Sequence, residues 1–323
     1  MTVPPAKQLR RSLRSALIRA AVGLASLLPL GAALALGALL GRLAWALAGR
    51  TRRLALSHVA LALPELSAEA QRAVARGTFL HLARAAMEAV VAVRRIDPVL
   101  ERYVTFAGDG ERLLKEARAA GKGVVVVTGH LGNWELFARR IARTGPAATI
   151  ARPSWDRKID AMVEDFRQRA GVTTIWRRED KAGGRAILKA FRQGVVFGIL
   201  IDQDTGVEGA FVPFFGRLAW TPRGAADLAL RFGAPLLVAW SRRRGPGRHD
   251  GYLIEVEPVA YDPDPSDREA EVAGITARCT ARLEAAIRRS PTEWVWMHER
   301  WKRRPPDEAD ASSVPKSREL SEQ

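Results

Sequence analysis

Short β-branched runs, each bounded by glycine or a polar loop and most alternating with helical stretches, constrain the fold of this chain more than any other feature. The clearest is Val124-Val125-Val126-Val127-Thr128, entered through Gly121-Lys122-Gly123. A run that is apolar on both alternating sides suits a strand buried on both faces. Similar runs lie at Ala147–Ala151, Val172–Trp176, Val195–Ile201, Pro235–Trp240 and Tyr252–Glu257. Helical patterns fill the spaces at about Trp134–Arg143, Lys158–Ala170, Gly184–Gln193 and Pro222–Phe232, and a longer one covers about Asp267–Arg289. Strands alternating with helices predict an α/β fold with a mostly parallel central sheet flanked by helices. The last two strands are separated by the basic loop Arg242–Arg248, and that short connection suits an antiparallel pair.

The N-terminal region has a different character. Ala20–Gly41 carries no charged residue, a length that just crosses a bilayer core. Lys7, Arg10, Arg11, Arg14 and Arg19 precede it, and Arg42, Arg50, Arg52 and Arg53 follow it, so loop charge sets no orientation. Pro29 interrupts the run, leaving two forms open: a kinked span, or a hairpin lying in one leaflet with its arginines at the headgroups. A pair of buried core helices is the soluble alternative. Residues 1–50 are therefore expected to form a membrane anchor and 51–304 a catalytic domain. Ser67 is expected to cap a helix running to about Arg94. The polar tail 305–323 is expected to be disordered. The formal net charge of +16 favours anionic partners, although an arginine-rich composition supplies part of it. Cys279 is the single cysteine, which excludes an intramolecular disulfide and a cysteine-based metal site.

The segment most suggestive of chemistry is Thr128-Gly129-His130-Leu131-Gly132-Asn133-Trp134-Glu135, directly after the first long strand. Ligands in open α/β sheets bind at the carboxyl ends of strands. His130 and Glu135 would not share a helix face, because five helical steps turn by about 140°. A loop histidine with a glutamate reaching back from the first helical turn would work. The carboxylate would hold one ring nitrogen and leave the other free to take a proton. A polar loop whose histidine caps the helix fits the same spacing. Asp202-Gln203-Asp204 and Arg152 also follow strands. Arginine there suits an anion on a substrate, or an ordinary surface ion pair. The aspartates suit sugar hydroxyls or the orientation of Arg152, and no nearby ligand cluster supports a metal site.

These segments resemble the His-x4-Asp/Glu motif of glycerolipid-type acyltransferases. More narrowly, the chain resembles the bacterial lipid A biosynthesis acyltransferases. The resemblance is carried by Leu63-Pro64-Glu65-Leu66, Gly129–Glu135, Arg152-Pro153, Asp202-Gln203-Asp204, Val212-Pro213-Phe214-Phe215-Gly216 and Pro291–Lys302. It covers roughly 15–304. It implies transfer of an acyl chain from acyl carrier protein to a hydroxyl of a lipid A precursor, at the cytoplasmic side of the bacterial inner membrane. His130 would be the general base, Glu135 its orienting carboxylate, and no cofactor or metal would be needed. Gly132, Asn133, Arg152, Asp202, Gln203, Asp204, Phe215 and Gly216 would contact substrate, with Phe214 or Phe215 lining an acyl channel.

In the C-terminal block, Trp294 and Trp296 alternate as in an edge strand. His298 has no carboxylate nearby in sequence except Glu299, so it is not expected to be the base. Two alternatives accompany this reading: a related acyltransferase with another glycolipid or phospholipid acceptor, and a membrane-tethered binder of acidic lipid or nucleic acid. The binder would present a continuous basic face without a groove.

Overall fold

The computed structural model describes residues 5–154, 156–176, 182–245, 247 and 250–305. Four N-terminal helices come first: α1 (Pro5–Ala25), α2 (Leu30–Leu47), α3 (Gly49–Ala62) and α4 (Ala68–Val91). Ser67 caps α4 as expected, its hydroxyl accepting from the Ala70 N–H at 3.2 Å. A π-turn at Ala92–Ile96 ends α4 slightly before the expected position. The α/β part follows as α5 (Leu100–Tyr103), β1 (Val104–Phe106), α6 (Gly110–Ala119), β2 (Val124–Thr128), α7 (Trp134–Ala142), β3 (Ala147–Ala151), α8 (Arg157–Gln168), β4 (Val172–Trp176), α9 (Ala182–Arg192) and β5 (Val196–Leu200). After a hairpin of β6 (Gly209–Phe214) and β7 (Arg217–Pro222) come α10 (Gly224–Phe232), β8 (Leu236–Arg243), β9 (Tyr252–Pro258) and α11 (Arg268–Arg289).

Seven strands form one sheet in the order β1-β9-β8-β2-β5-β3-β4. From β8 to β4 every neighbouring pair is parallel, while β9 runs antiparallel to β8 as its short connection required. The alternation of β2 divides the core. Val125 and Val127 join a cluster containing Phe197, Leu236 and Trp294. Val124 and Val126 face the opposite side, with Leu136, Phe137 and Ile141 of α7. Period-two side-chain alternation in a strand covered on both faces produces this split.

Several features depart from the sequence-based expectations. α5, β1, α6 and the β6–β7 hairpin were not anticipated. Trp294 and Trp296 are not in an edge strand. They follow a 3-10 turn at Pro291–Glu293 and make only the isolated bridge Leu131–Trp294, yet both indoles are fully buried. Their period-two spacing reflects burial of both rings in the same cluster, not strand pairing. Except for Pro305, the expected tail lies outside the described residues, as do residues 246, 248 and 249 of the basic loop.

Candidate active site

Strand register builds the centre of the site. Thr128, the last residue of β2, pairs with Leu200, the last of β5. His130 and Asp202 each lie two residues beyond those ends, so neighbouring strands deliver them at the same level. The Asp202 carboxylate accepts from the His130 backbone N–H at 2.6 Å, from His130 Nδ1 at 2.9 Å and from Trp294 Nε1 at 2.8 Å. Burial alone would raise its pKa. The attraction of the His130 ring and these three donors outweigh burial and hold the carboxyl well below the usual carboxylate range. An ionised carboxylate only accepts, so His130 carries its proton on Nδ1 and presents a lone pair on Nε2. The His130 side chain is 22% exposed while that of Asp202 is 1% exposed, which leaves the imidazole reachable and its partner sealed.

The loop carrying His130 is fixed on three sides. Gly132 has φ +64°, and a Cβ there would stand 2.0 Å from the Ser241 carbonyl oxygen of β8, so only glycine fits. The Gly132 carbonyl accepts from His81 Nε2 at 3.0 Å. Burial, followed by the charge of Arg243, lowers the His81 pKa to about 3 and keeps that ring neutral. Asn133 caps α7, its Oδ1 accepting from the Leu136 N–H at 3.1 Å. Its Nδ2 donates to the Ala85 carbonyl and to Glu88. Glu88, fully buried, also accepts from Tyr103, Tyr252 and Arg243, so α4, α5, β8, β9 and the α7 cap meet at one carboxylate. Gly132 and Asn133 are thereby tied into the scaffold.

Glu135 is engaged elsewhere. Its two oxygens accept from Arg167 of α8 at 2.6 and 3.1 Å. The hydrogen bond expected from Glu135 to the His130 ring is instead made by Asp202. Glu135 still lines the same cleft as His130, so the two are close without being bonded. This cleft, about 400 Å³, has an apolar wall of Leu82, Ala85, Ala86 and Ala89 from α4, together with Val295. Trp134 and Glu135 also border a second, narrow crevice between α7 and the sheet, lined by Val126, Phe137, Ile141, Ala148, Val172 and Val196.

The remaining expected residues are dispersed. Gln203 belongs to the centre: its amide nitrogen lies 3.0 and 3.1 Å from the His130 ring nitrogens and 2.7 Å from His298 Nε2. Arg152 is exposed just beyond β3, on the same sheet edge. Asp204 binds the backbone N–H of Arg303 at 3.1 Å and its guanidinium at 3.3 Å. Phe215 is packed among Phe214, Trp296 and Trp301, and its backbone N–H donates to Glu284. Gly216 forms the tight β6–β7 turn. Neither Phe215 nor Gly216 lines the His130 cleft.

Two participants escaped the sequence reading. Trp294 donates directly to Asp202. His298 lies with its ring centroid 5.4 Å from that of His130, and burial, then repulsion from His130, lowers its pKa to about 4. The available signal was their place in the motif-rich C-terminal block; adjacency in sequence concealed their partners. Burial pushes the Cys279 thiol up to about 12, which suits a buried side chain better than a nucleophile. Among the described residues, no group of three His, Cys, Asp or Glu side chains could hold a metal ion.

The family model for bacterial lipid A biosynthesis acyltransferases matches residues 4–303. Similar proteins include a lipid A biosynthesis lauroyltransferase of Escherichia coli (strain K12), 27% identical over 84% of this chain and 85% of the relative. A lipid A biosynthesis palmitoleoyltransferase of the same strain is 27% identical over 85% and 86%. A phosphatidylinositol mannoside acyltransferase of Mycobacterium tuberculosis (strain CDC 1551 / Oshkosh) is 28% identical over 58% of this chain and 57% of the relative.

Proposed function

The chain belongs to the family of bacterial lipid A biosynthesis acyltransferases, and on that premise we propose that it moves a fatty acyl chain from acyl carrier protein to a hydroxyl of a lipid A precursor. This is a late acylation at the cytoplasmic face of the inner membrane, with His130 as general base. The carrying observation is the His130–Asp202 contact, which fixes the tautomer of a ring that lines a cleft of suitable size.

The acceptor hydroxyl displaces the Gln203 amide from Nε2 and gives its proton to that nitrogen. The alkoxide attacks the thioester carbonyl, forming a tetrahedral oxyanion. Collapse breaks the C–S bond and expels the carrier thiolate, which recovers the proton from His130. Asp202 stabilises the imidazolium between these steps. General-base assistance of this kind contributes about 10²- to 10⁴-fold. Glu135, which borders both the cleft and the crevice, acts in this reading by holding Arg167 of the crevice wall, from where a cation can reach a phosphate of the donor or the developing oxyanion. The alanine-rich wall of α4 takes the start of the alkyl chain, and the crevice behind Trp134 offers its continuation. In the same reading Arg152, exposed beyond β3, meets an anionic group on the acceptor.

The cleft and the family both favour this reading over a non-enzymatic binder of acidic lipid or nucleic acid. Partial similarity to phosphatidylinositol mannoside acyltransferases supports another glycolipid acceptor as the second reading. The test is acyl transfer in detergent from lauroyl- or myristoyl-acyl carrier protein to a tetra-acylated lipid A precursor. Wild type should form product and His130→Ala should not. Equal rates from both proteins would remove His130 from the mechanism. Folded wild type inactive on this acceptor but active on a mannosylated phospholipid would select the second reading.

A further inference from the structure

α2 has the length and apolarity of a membrane span: Leu30–Leu47, mean hydropathy 1.7. Its packing is that of a different object. One stripe of the helix, Ala33, Leu34, Gly37, Ala38 and Gly41, is buried against α4. A Cβ on Gly37 would lie 2.9 Å from the Ala83 carbonyl oxygen, and one on Gly41 would lie 2.7 Å from that of Phe79. The two backbones therefore touch along successive turns, which only glycine permits. α4 cannot follow α2 across a bilayer. It carries Arg72, Arg76, Arg84 and Glu88, and its Ala85 and Glu88 hold Asn133 beside the catalytic loop.

Both ends of α2 are tied to this same domain. At the start, Arg95 donates to the Leu27 and Leu28 carbonyls at 2.7 and 3.1 Å. At the finish, the Trp45 ring meets Phe79 edge-on at 5.4 Å. A spanning helix would put those ends on opposite faces of the membrane, and one domain cannot reach both.

The opposite side of the hairpin is the lipid-like surface of the molecule. The large hydrophobic side chains exposed among the described residues are Leu17, Leu24, Leu27, Leu39, Leu40, Leu43, Leu47 and Val93. All but Val93 lie on α1, α2 or their connection, and Val93 is in the turn that carries Arg95. Arg19, Arg42, Arg50 and Arg53 are exposed on the same three helices, α1 to α3. Leucines with flanking arginines suit the headgroup boundary of an anionic leaflet.

We propose that α2 is an in-plane anchor: its leucine face, with the exposed leucines of α1 beside it, enters one leaflet of an anionic membrane while its glycine face stays clamped on α4, and α2 does not cross. This rests on the membrane-bound reading of the function and specifies its topology. The anchor then holds the α4 wall of the active-site cleft close to the leaflet that contains the lipid acceptor.

Nitroxide labels on Cys279→Ser protein at Ala32→Cys, Leu39→Cys, Leu43→Cys and Leu47→Cys test it by power-saturation depth measurement on vesicles of phosphatidylethanolamine and phosphatidylglycerol. All four positions are exposed, and retained transferase activity certifies folding. Position 32 is separated from position 47 by about 22 Å along a helix. An in-plane anchor gives all four one shallow depth, within a few ångströms. A depth that peaks near position 39 and falls towards both ends means that α2 spans, and overturns the proposal while leaving membrane binding intact. Labels that stay in water at every position overturn the membrane reading itself, and the anchor with it.

Discussion

The loop after β5 and the first turn of α7 each contribute a carboxylate beside His130, and the two are built in opposite ways. Asp202 is sealed from solvent, accepts three hydrogen bonds and touches the ring. Glu135 is partly exposed, bound to a guanidinium, and lines the cleft without bonding to His130. A buried, fully satisfied acceptor sets a tautomer and resists displacement. A solvent-accessible ion pair can exchange its partner when an anionic substrate arrives. The difference suggests a division of labour: Asp202 serves the base, and Glu135 serves the cation that meets the substrate.

Replacing each carboxylate by its amide is the sharpest way to break that division. Asp202→Asn should lower kcat by about 10³-fold, because an amide there no longer stabilises the imidazolium or enforces the Nδ1–H tautomer. Glu135→Gln should cost about 10- to 100-fold. The check is single-turnover acyl transfer by protein whose melting profile confirms folding. If Glu135→Gln proves the more damaging, the five-residue spacing identifies the true partner and the geometric assignment is reversed.

Arg167→Gln probes the other half of the comparison. It should match Glu135→Gln in size, and the double variant should be scarcely worse than either alone, since the two side chains act as one unit. Full additivity would show that Glu135 acts without Arg167. A KM increase that outweighs the kcat loss would place the guanidinium on substrate binding, not on the oxyanion.

Much of this arrangement was legible beforehand. Val124–Val127 announced a buried strand, and Gly129–Glu135 announced a loop with chemistry at its end. The partner of His130 was not legible, because a strand's neighbour is a property of sheet order. β5 is adjacent to β2 in space, although β3 and β4 intervene in sequence. His130 and Asp202 both sit two residues past a strand end, a signal that becomes decisive only once register is known. The β6–β7 hairpin escaped because Pro213 and Gly216 mimic a loop, and Trp294–Trp296 mimicked a strand because burial alone produced period two. Leu30–Leu47 showed its apolar length in sequence, while the use of its glycines appears only against α4.

Trp294→Phe tests how far the Asp202 side depends on its support. The ring volume is largely kept but the 2.8 Å donor to Asp202 is lost. About 1.5–3 kcal/mol attaches to a hydrogen bond on a charged group, and the low end of that range gives the rate loss of about 10-fold expected here. Thermal stability should change little while the rate falls. A rate near wild type with lower thermal stability would make Trp294 a packing residue only.

The smallest effect is expected one residue away, at Glu293. Its backbone carbonyl accepts from the Gly132 N–H at 3.1 Å, and its carboxylate accepts from the Arg243 N–H at 3.0 and 3.2 Å. Burial raises its pKa to about 7, against the opposing pull of Arg243 and Arg242. With the folded value above the unfolded one, the folded state keeps a proton that the unfolded chain releases. Stability should therefore fall as pH rises from about 4.5 to about 7 and then level off, by at most about 3 kcal/mol. Glu293→Gln should flatten that slope in denaturant titrations at pH 5 and pH 7.5 while leaving kcat near wild type, because the backbone bond to Gly132 survives. A flattened slope accompanied by a large loss of kcat would mean that the Glu293 carboxylate, and not only its carbonyl, helps to set the loop that carries His130.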